Sequence, residues 1–129
     1  MTTQDILTFV HEQRAIRGVT KVLNGWSDTQ ILRAACHAIS QNAFGWVVTN
    51  EKLSGFAFGI PREHEKVLDV TSLVCADKRS LAHLMLLFSQ QYPGWRIRGQ
   101  RKKKQCVVTY ANTNRFVHLT QLNAKSYAQ

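Results

Sequence analysis

Apolar positions set the first elements of the chain. Ile6, Phe9 and Val10 stand at i, i+3 and i+4 in an otherwise polar stretch, which predicts a helix from Thr3 to about Arg17 with Gly18 as its stop. A polar turn follows around Asn24-Gly25. Ser27 and Gln30 then have the spacing of a capping box and open a second helix to about Ser40, with Ile31, Ala35, Ala38 and Ile39 on its buried side. Beyond Gln41-Asn42 the period falls from 3.6 to 2. Phe44, Trp46 and Val48 alternate with Ala43, Gly45 and Val47, which reads as a strand. Asn50-Glu51-Lys52 turns the chain into a second strand, Leu53 to Ile60, which Pro61 is expected to end. After a charged turn, Arg62 to Lys66, the third strand runs from Val67 to Cys75. Leu68, Val70, Ser72 and Val74 fall on one side, and Val67, Asp69, Thr71, Leu73 and Cys75 on the other; apolar residues on both faces predict a central place in the sheet.

The clearest helix comes next. Leu81, Leu84, Met85 and Phe88 repeat at i, i+3, i+4 and i+7 between Arg79 and Tyr92, and Pro93-Gly94 stops it. Trp95 to Gln100 and Gln105 to Tyr110 read as two further strands around a basic turn. Short turns make the first three strands an antiparallel meander. The helix is long enough to be a right-handed crossover into a parallel strand. The expected fold class is therefore α/β (α+β): two N-terminal helices, then a mixed sheet in which an antiparallel meander is followed by one βαβ crossover. With 129 residues, no linker and no repeat, one domain is expected over 1–129. Its parts are the helices at 3–40, the sheet with its crossover helix at 43–110, and a tail at 111–129 to which the pattern assigns no element.

Hydrophobic residues make up 44% of the chain and charged residues 19%, a globular composition. No apolar run is long enough to cross a bilayer, and Met1 to Asp5 lacks the basic start of a secretory signal. Cys36, Cys75 and Cys106 are odd in number and never form a CxxC pair, so neither a disulfide framework nor a zinc site is expected. His11, His37, His64, His83 and His118 are dispersed, and no metal is predicted. The expected location is the cytoplasm.

Charge changes the picture. There are 17 Lys and Arg against 8 Asp and Glu, a net of +9, and all eight acids lie at or before Asp77. The first 77 residues carry seven basic and eight acidic side chains, a net of −1; the last 52 carry ten basic and no acidic ones, a net of +10. So one-sided a distribution attracts polyanions such as nucleic acid, anionic lipid, a pyrophosphate-bearing cofactor or an acidic protein. Arg96, Arg98, Arg101, Lys102, Lys103 and Lys104 place six cations within nine residues beside Trp95, and these are the candidate polyanion-binding residues. An aromatic ring among cations suits single-stranded nucleic acid; the plainer reading is a solvated turn that blunts an edge strand.

The hairpin Phe44 to Ile60 with "GWVV…GFAFG", the strand "VLDVTSLVCAD" and the helix "SLAHLMLLF" together resemble the GNAT superfamily of acyl-coenzyme A-dependent N-acyltransferases, over roughly Asp28 to Tyr110. The passage "YPGWRIRGQRKKK" also looks like that of small GNAT-like proteins encoded by tailed phages. More distantly the chain is similar to toxin-activating lysine acyltransferases, whose catalytic histidine has no match here. The resemblance implies acetyl-coenzyme A or another acyl-coenzyme A as cofactor, bound where the third strand splays from the parallel strand after the helix. Its pyrophosphate would lie on the helix N-terminus, a natural anion site, at Lys78, Arg79, Ser80 and Ala82. Ser80 and Ala82 stand where the family has glycine. For acyl transfer the resemblance also asks for a general base and a proton donor. Asp69 and Tyr110 are the candidates, with Glu51, Glu63, Glu65 and Tyr92 as alternatives, and plain structural roles account for each of them too. Cys75, with His83 or His64, is a possible nucleophile, or else a buried inert thiol.

Two readings follow. One is a divergent GNAT-like acyl-coenzyme A-dependent N-acyltransferase. The other is a catalytically inactive protein of that fold, such as a phage virion component, which uses its basic half to bind nucleic acid or an acidic partner; for a phage protein the location would be the host cytoplasm or the virion. Oligomerisation is compatible with either.

Overall fold

The computed structural model describes residues 1–101 and 104–108, with Gln100, Arg101 and 104–108 by backbone alone. Tyr110, Lys102, Lys103 and the tail 111–129 lie outside the described residues. The elements are α1 (Thr3–Arg17), α2 (Asp28–Ser40), β1 (Phe44–Thr49), β2 (Lys52–Arg62), β3 (Val67–Cys75), α3 (Lys78–Gln91), β4 (Arg96–Arg101) and β5 (Lys104–Val108), with a 3-10 turn at Leu23–Gly25. Capping boxes open the first two helices: Thr2 and Asp5 for α1, Ser27 and Gln30 for α2. Gly18 ends α1 at φ 105°, a left-handed angle that suits glycine.

The five strands form one mixed sheet in chain order, β1-β2-β3-β4-β5. The first three pair antiparallel, β3 pairs parallel with β4, and β5 returns antiparallel on β4. The parallel pairing runs from Val67↔Arg96 to Val70↔Gly99. Beyond it β3 continues to Cys75 against β2, while Gln100 and Arg101 pair with β5. The meander and the βαβ unit are thus both present, and the two parallel strands part after four residues.

Helices cover both faces. Ile6, Phe9 and Val10 of α1 and Ile31, Ala35 and Ala38 of α2 pack on Phe44, Phe56, Phe58 and Val74. Leu84, Met85 and Phe88 of α3 pack on Ala43, Val47, Ala57, Leu68, Cys75 and Ile97 from the other side. Phe56 and Phe88 are fully buried, one on each face; each such burial is worth roughly 1.5–3 kcal/mol. Gly45 and Gly55 let α3 lie close on the sheet. A Cβ at Gly45 would meet the Phe88 ring at 3.1 Å, and one at Gly55 would meet Cys75 Sγ at 3.0 Å and Ser80 Cβ at 3.4 Å.

Four details depart from the sequence pattern. Pro61 does not end β2 but pairs with Leu68. The N–H of Gly59 points towards β1, donating to the Ala43 carbonyl. Pro61, two residues on, turns its nitrogen the same way, past the start of β1, where no ladder bond is lost. In β3 the register passes from Phe58↔Ser72 to Gly59↔Val70, so Thr71 is an extra residue. This bulge exchanges the faces: Leu68 and Cys75 join the α3 cluster and Val74 the α1–α2 cluster. Ile39, expected in the core, is 57% exposed, and Leu81 is 36% exposed.

Candidate functional site

The start of α3 follows directly on the end of β3. Asp77 caps the helix, its carboxylate accepting the Ser80 N–H at 2.7 Å, which already places a negative charge at the positive end of the helix. Lys78 and Arg79 are exposed beside it, and Ala82 is half-buried. Ser80 has no exposed surface. Its hydroxyl points inward and donates to Ser54 Oγ at 3.0 Å, and Ser54 in turn donates to the Val47 carbonyl at 3.2 Å. The hydroxyl assigned to a phosphate from the sequence is therefore spent in joining α3 to β2.

A hollow of about 290 Å³ opens at this end, lined by Arg17, Leu73, Cys75, Asp77, Lys78 and Leu81. Arg17 reaches it from the end of α1 and donates to the Cys75 carbonyl at 2.7 Å. Sequence reasoning missed Arg17, since nothing local ties a residue at the end of α1 to a strand end 58 positions later. The Cys75 thiol faces the interior, and burial, with a smaller push from the Asp77 carboxylate, raises its pKa to about 12. It stays protonated at neutral pH and is no ready nucleophile. Burial also lowers the pKa of His83, which lies half-buried on α3, while His64 is exposed in the turn between β2 and β3.

Asp69 lies elsewhere. It precedes Cys75 by six positions, roughly 20 Å along the strand, on the pleat opposite Leu68 and Ile97, which face α3. Arg98 grips it with Nε and with a second nitrogen at 2.7 Å, and Arg62 Nε donates to it at 3.0 Å. The Arg98 hydrogen bonds are the main reason that its carboxyl titrates below the usual value. Glu65 stands 3.5 Å from the same Arg98. Two guanidiniums and two carboxylates thus form a balanced cluster joining β2, β3, β4 and a turn. Asp69, as a candidate base, is tied up in this cluster, and so is much of the cationic capacity of Arg98. Arg96 remains exposed.

The other candidates do not converge on the α3 N-terminus. Glu51 borders a separate recess with Asp5, Glu12 and Lys52, and Glu63 is exposed in the β2–β3 turn. Tyr92 sits past the far end of α3, roughly 20 Å from Asp77. Its hydroxyl donates to the Asn42 carbonyl at 2.7 Å, and burial raises its pKa. Its ring packs 4.9 Å from that of Trp95, over which Lys66 Nζ lies at 5.4 Å, a cation–π contact not foreseen from sequence.

Among the described residues no three His, Cys, Asp or Glu side chains are placed to hold a metal ion, and no helix is long and apolar enough to cross a membrane. In comparison with known families, curated proteins and solved structures, the chain matches none.

Proposed function

We propose that this chain is a non-catalytic binding protein with a GNAT-like sheet, which uses its basic C-terminal half to dock on a polyanion, either nucleic acid or an acidic partner. The observation that carries this reading is the state of Asp69. A general base must be free to accept a proton near the acceptor amine. Asp69 is instead clamped by Arg62 and Arg98, on the face turned away from α3 and far from Lys78 and Arg79. The capped helix start, with the Ser80 N–H on Asp77 and its hydroxyl on Ser54, points the same way. Lys78, Arg79 and Arg96 are exposed, and no carboxylate follows Asp77 in the sequence to neutralise them. The likeness to small phage proteins makes a virion component the setting this reading favours.

A second reading, acyl transfer from acetyl-coenzyme A or another acyl-coenzyme A, draws on one specific observation. The parallel strands part beyond Val70 and Gly99, and a crevice at the carboxyl ends of diverging parallel strands is where open α/β sheets bind ligands. Lys78, Arg79 and Ala82 would then border the cofactor, with Tyr110 left as the proton donor.

Thermal unfolding with and without acetyl-coenzyme A separates the two. A ligand at a hundred times its Kd adds about 2.7 kcal/mol, a rise in Tm on the order of 10 °C. The binding reading predicts no rise. A clear rise, abolished by reversing the charges of Lys78 and Arg79 and unaffected by neutralising Lys102, Lys103 and Lys104, would establish the transferase reading instead.

A further inference from the structure

The edge of the sheet formed by β1 has features that the polyanion reading leaves unused. Among the described residues β1 is the first strand in the sheet order and pairs with β2 alone. Gly59 donates to the Ala43 carbonyl at 2.8 Å, and the antiparallel ladder repeats every second residue. The backbone groups of Gly45 and Val47 therefore face β2, and those of Phe44, Trp46 and Val48 face outward. On that rim the side chains of Trp46 and Val48 are 45% and 48% exposed, two residues apart on one pleat.

Exposed edges are usually blunted by charge, proline or a bulge in the edge strand itself. The sequence of β1, FGWVVT, has neither charge nor proline. The irregularity near Val47 and Val48 comes from Ser54, an extra residue on β2, so β1 stays regular. The opposite edge strand among the described residues, β5, begins with Lys104 in the basic run of the sequence. Along its own length β1 offers no charge by which an acidic or basic peptide could be selected; the charged side chains near it, Asp5, Glu12, Glu51 and Lys52, border Val48 at one end. Its complement is a neutral strand rich in β-branched and aromatic residues, and β1 is itself such a strand.

We infer that β1 pairs antiparallel with β1 of a second copy across a two-fold axis at Val47, joining two five-stranded sheets edge to edge. In this register Trp46 of each copy stands opposite Val48 of the other, so the aromatic–β-branched contact forms twice. The outward N–H and C=O groups of Trp46 and Val48 meet their counterparts as hydrogen-bonded pairs. The strands carrying the basic run lie at the far ends of the joined sheet, where the two positive halves are well separated.

The test is the mass of the full chain in solution at high micromolar concentration, read together with amide hydrogen exchange. The expected mass is twice 14.7 kDa, with the Trp46 and Val48 amides protected. Val48→Lys should return the mass to that of one chain and expose those amides to fast exchange, with an unchanged circular dichroism spectrum. Trp46→Lys places the charge two residues along and serves if Val48→Lys does not fold. A single-chain mass for the unmodified protein, a variant that folds and remains dimeric, or a dimer whose Trp46 and Val48 amides exchange freely would each overturn the inference.

Discussion

A carboxylate held by two guanidiniums is a strong structural tie and a poor proton acceptor, and Asp69 is that tie between β2, β3 and β4. Asp69→Asn should cost about 1–2 kcal/mol in urea unfolding at neutral pH, the worth of charge-assisted hydrogen bonds with one ionic partner removed. The folded carboxyl titrates below its ordinary value. Its contribution is therefore complete above the unfolded pKa of about 4 and fades as pH falls through the lower folded value. The unmodified protein and Asp69→Asn should thus converge in stability at strongly acid pH; a gap that persists there would contradict the account. From the sequence, Asp69 was visible as an acid on a strand but not as an ion-pair centre. Its partners stand seven and 29 residues away, and only the register of β3 on β4 brings Arg98 beside it. Asn50 and Glu51 form the two-residue turn between β1 and β2 with φ of 52° and 65°. Glycine suits the second of these positions. Glu51→Gly should stabilise the protein by about 0.5–1 kcal/mol, measurable as a higher denaturation midpoint at an unchanged slope.

At the scale of elements, the contact of α3 with the sheet depends on residues without side chains. Gly55→Ala would push a methyl group against Cys75 Sγ, Leu84 and the start of α3. The expected loss is about 1–3 kcal/mol, as for other overpacked interiors, and calorimetric unfolding would show it. Most elements were legible, because period and capping are local: the capping box at Ser27, the stripe Leu84-Met85-Phe88 and the alternation in β1 each lie within a few residues. The bulge at Thr71 was not, since a register shift depends on the partner strand, and one extra residue moved Val74 and Cys75 to faces opposite those the alternation assigned. Pro61 misled for a related reason: what a proline costs depends on whether a neighbour waits for its N–H. Ile39 and Leu81 have the spacing of core residues yet are exposed, because the pattern shows that a residue is apolar but not where the opposing layer ends.

For the whole molecule, the sequence displayed the charge asymmetry directly, because net charge needs no fold to be counted. It could not show which charges are spent internally: Arg98 is committed to Asp69 and Glu65, and Arg17 to the Cys75 carbonyl, while Lys78, Arg79 and Arg96 stay exposed. The parallel pairing of β3 and β4 is legible from helix length and strand order, but the distance between Asp69 and the start of α3 is not. The most direct measurement of the central claim is the affinity for a fluorescent single-stranded oligonucleotide and for an acidic polypeptide across a series of salt concentrations. At least one of them is expected to bind, with log K falling linearly with log salt. If the oligonucleotide is the one that binds, neutralising Lys102, Lys103 and Lys104 should make its slope shallower by about 2. Binding of neither at low salt, or affinity indifferent to salt and to those three lysines, would contradict it.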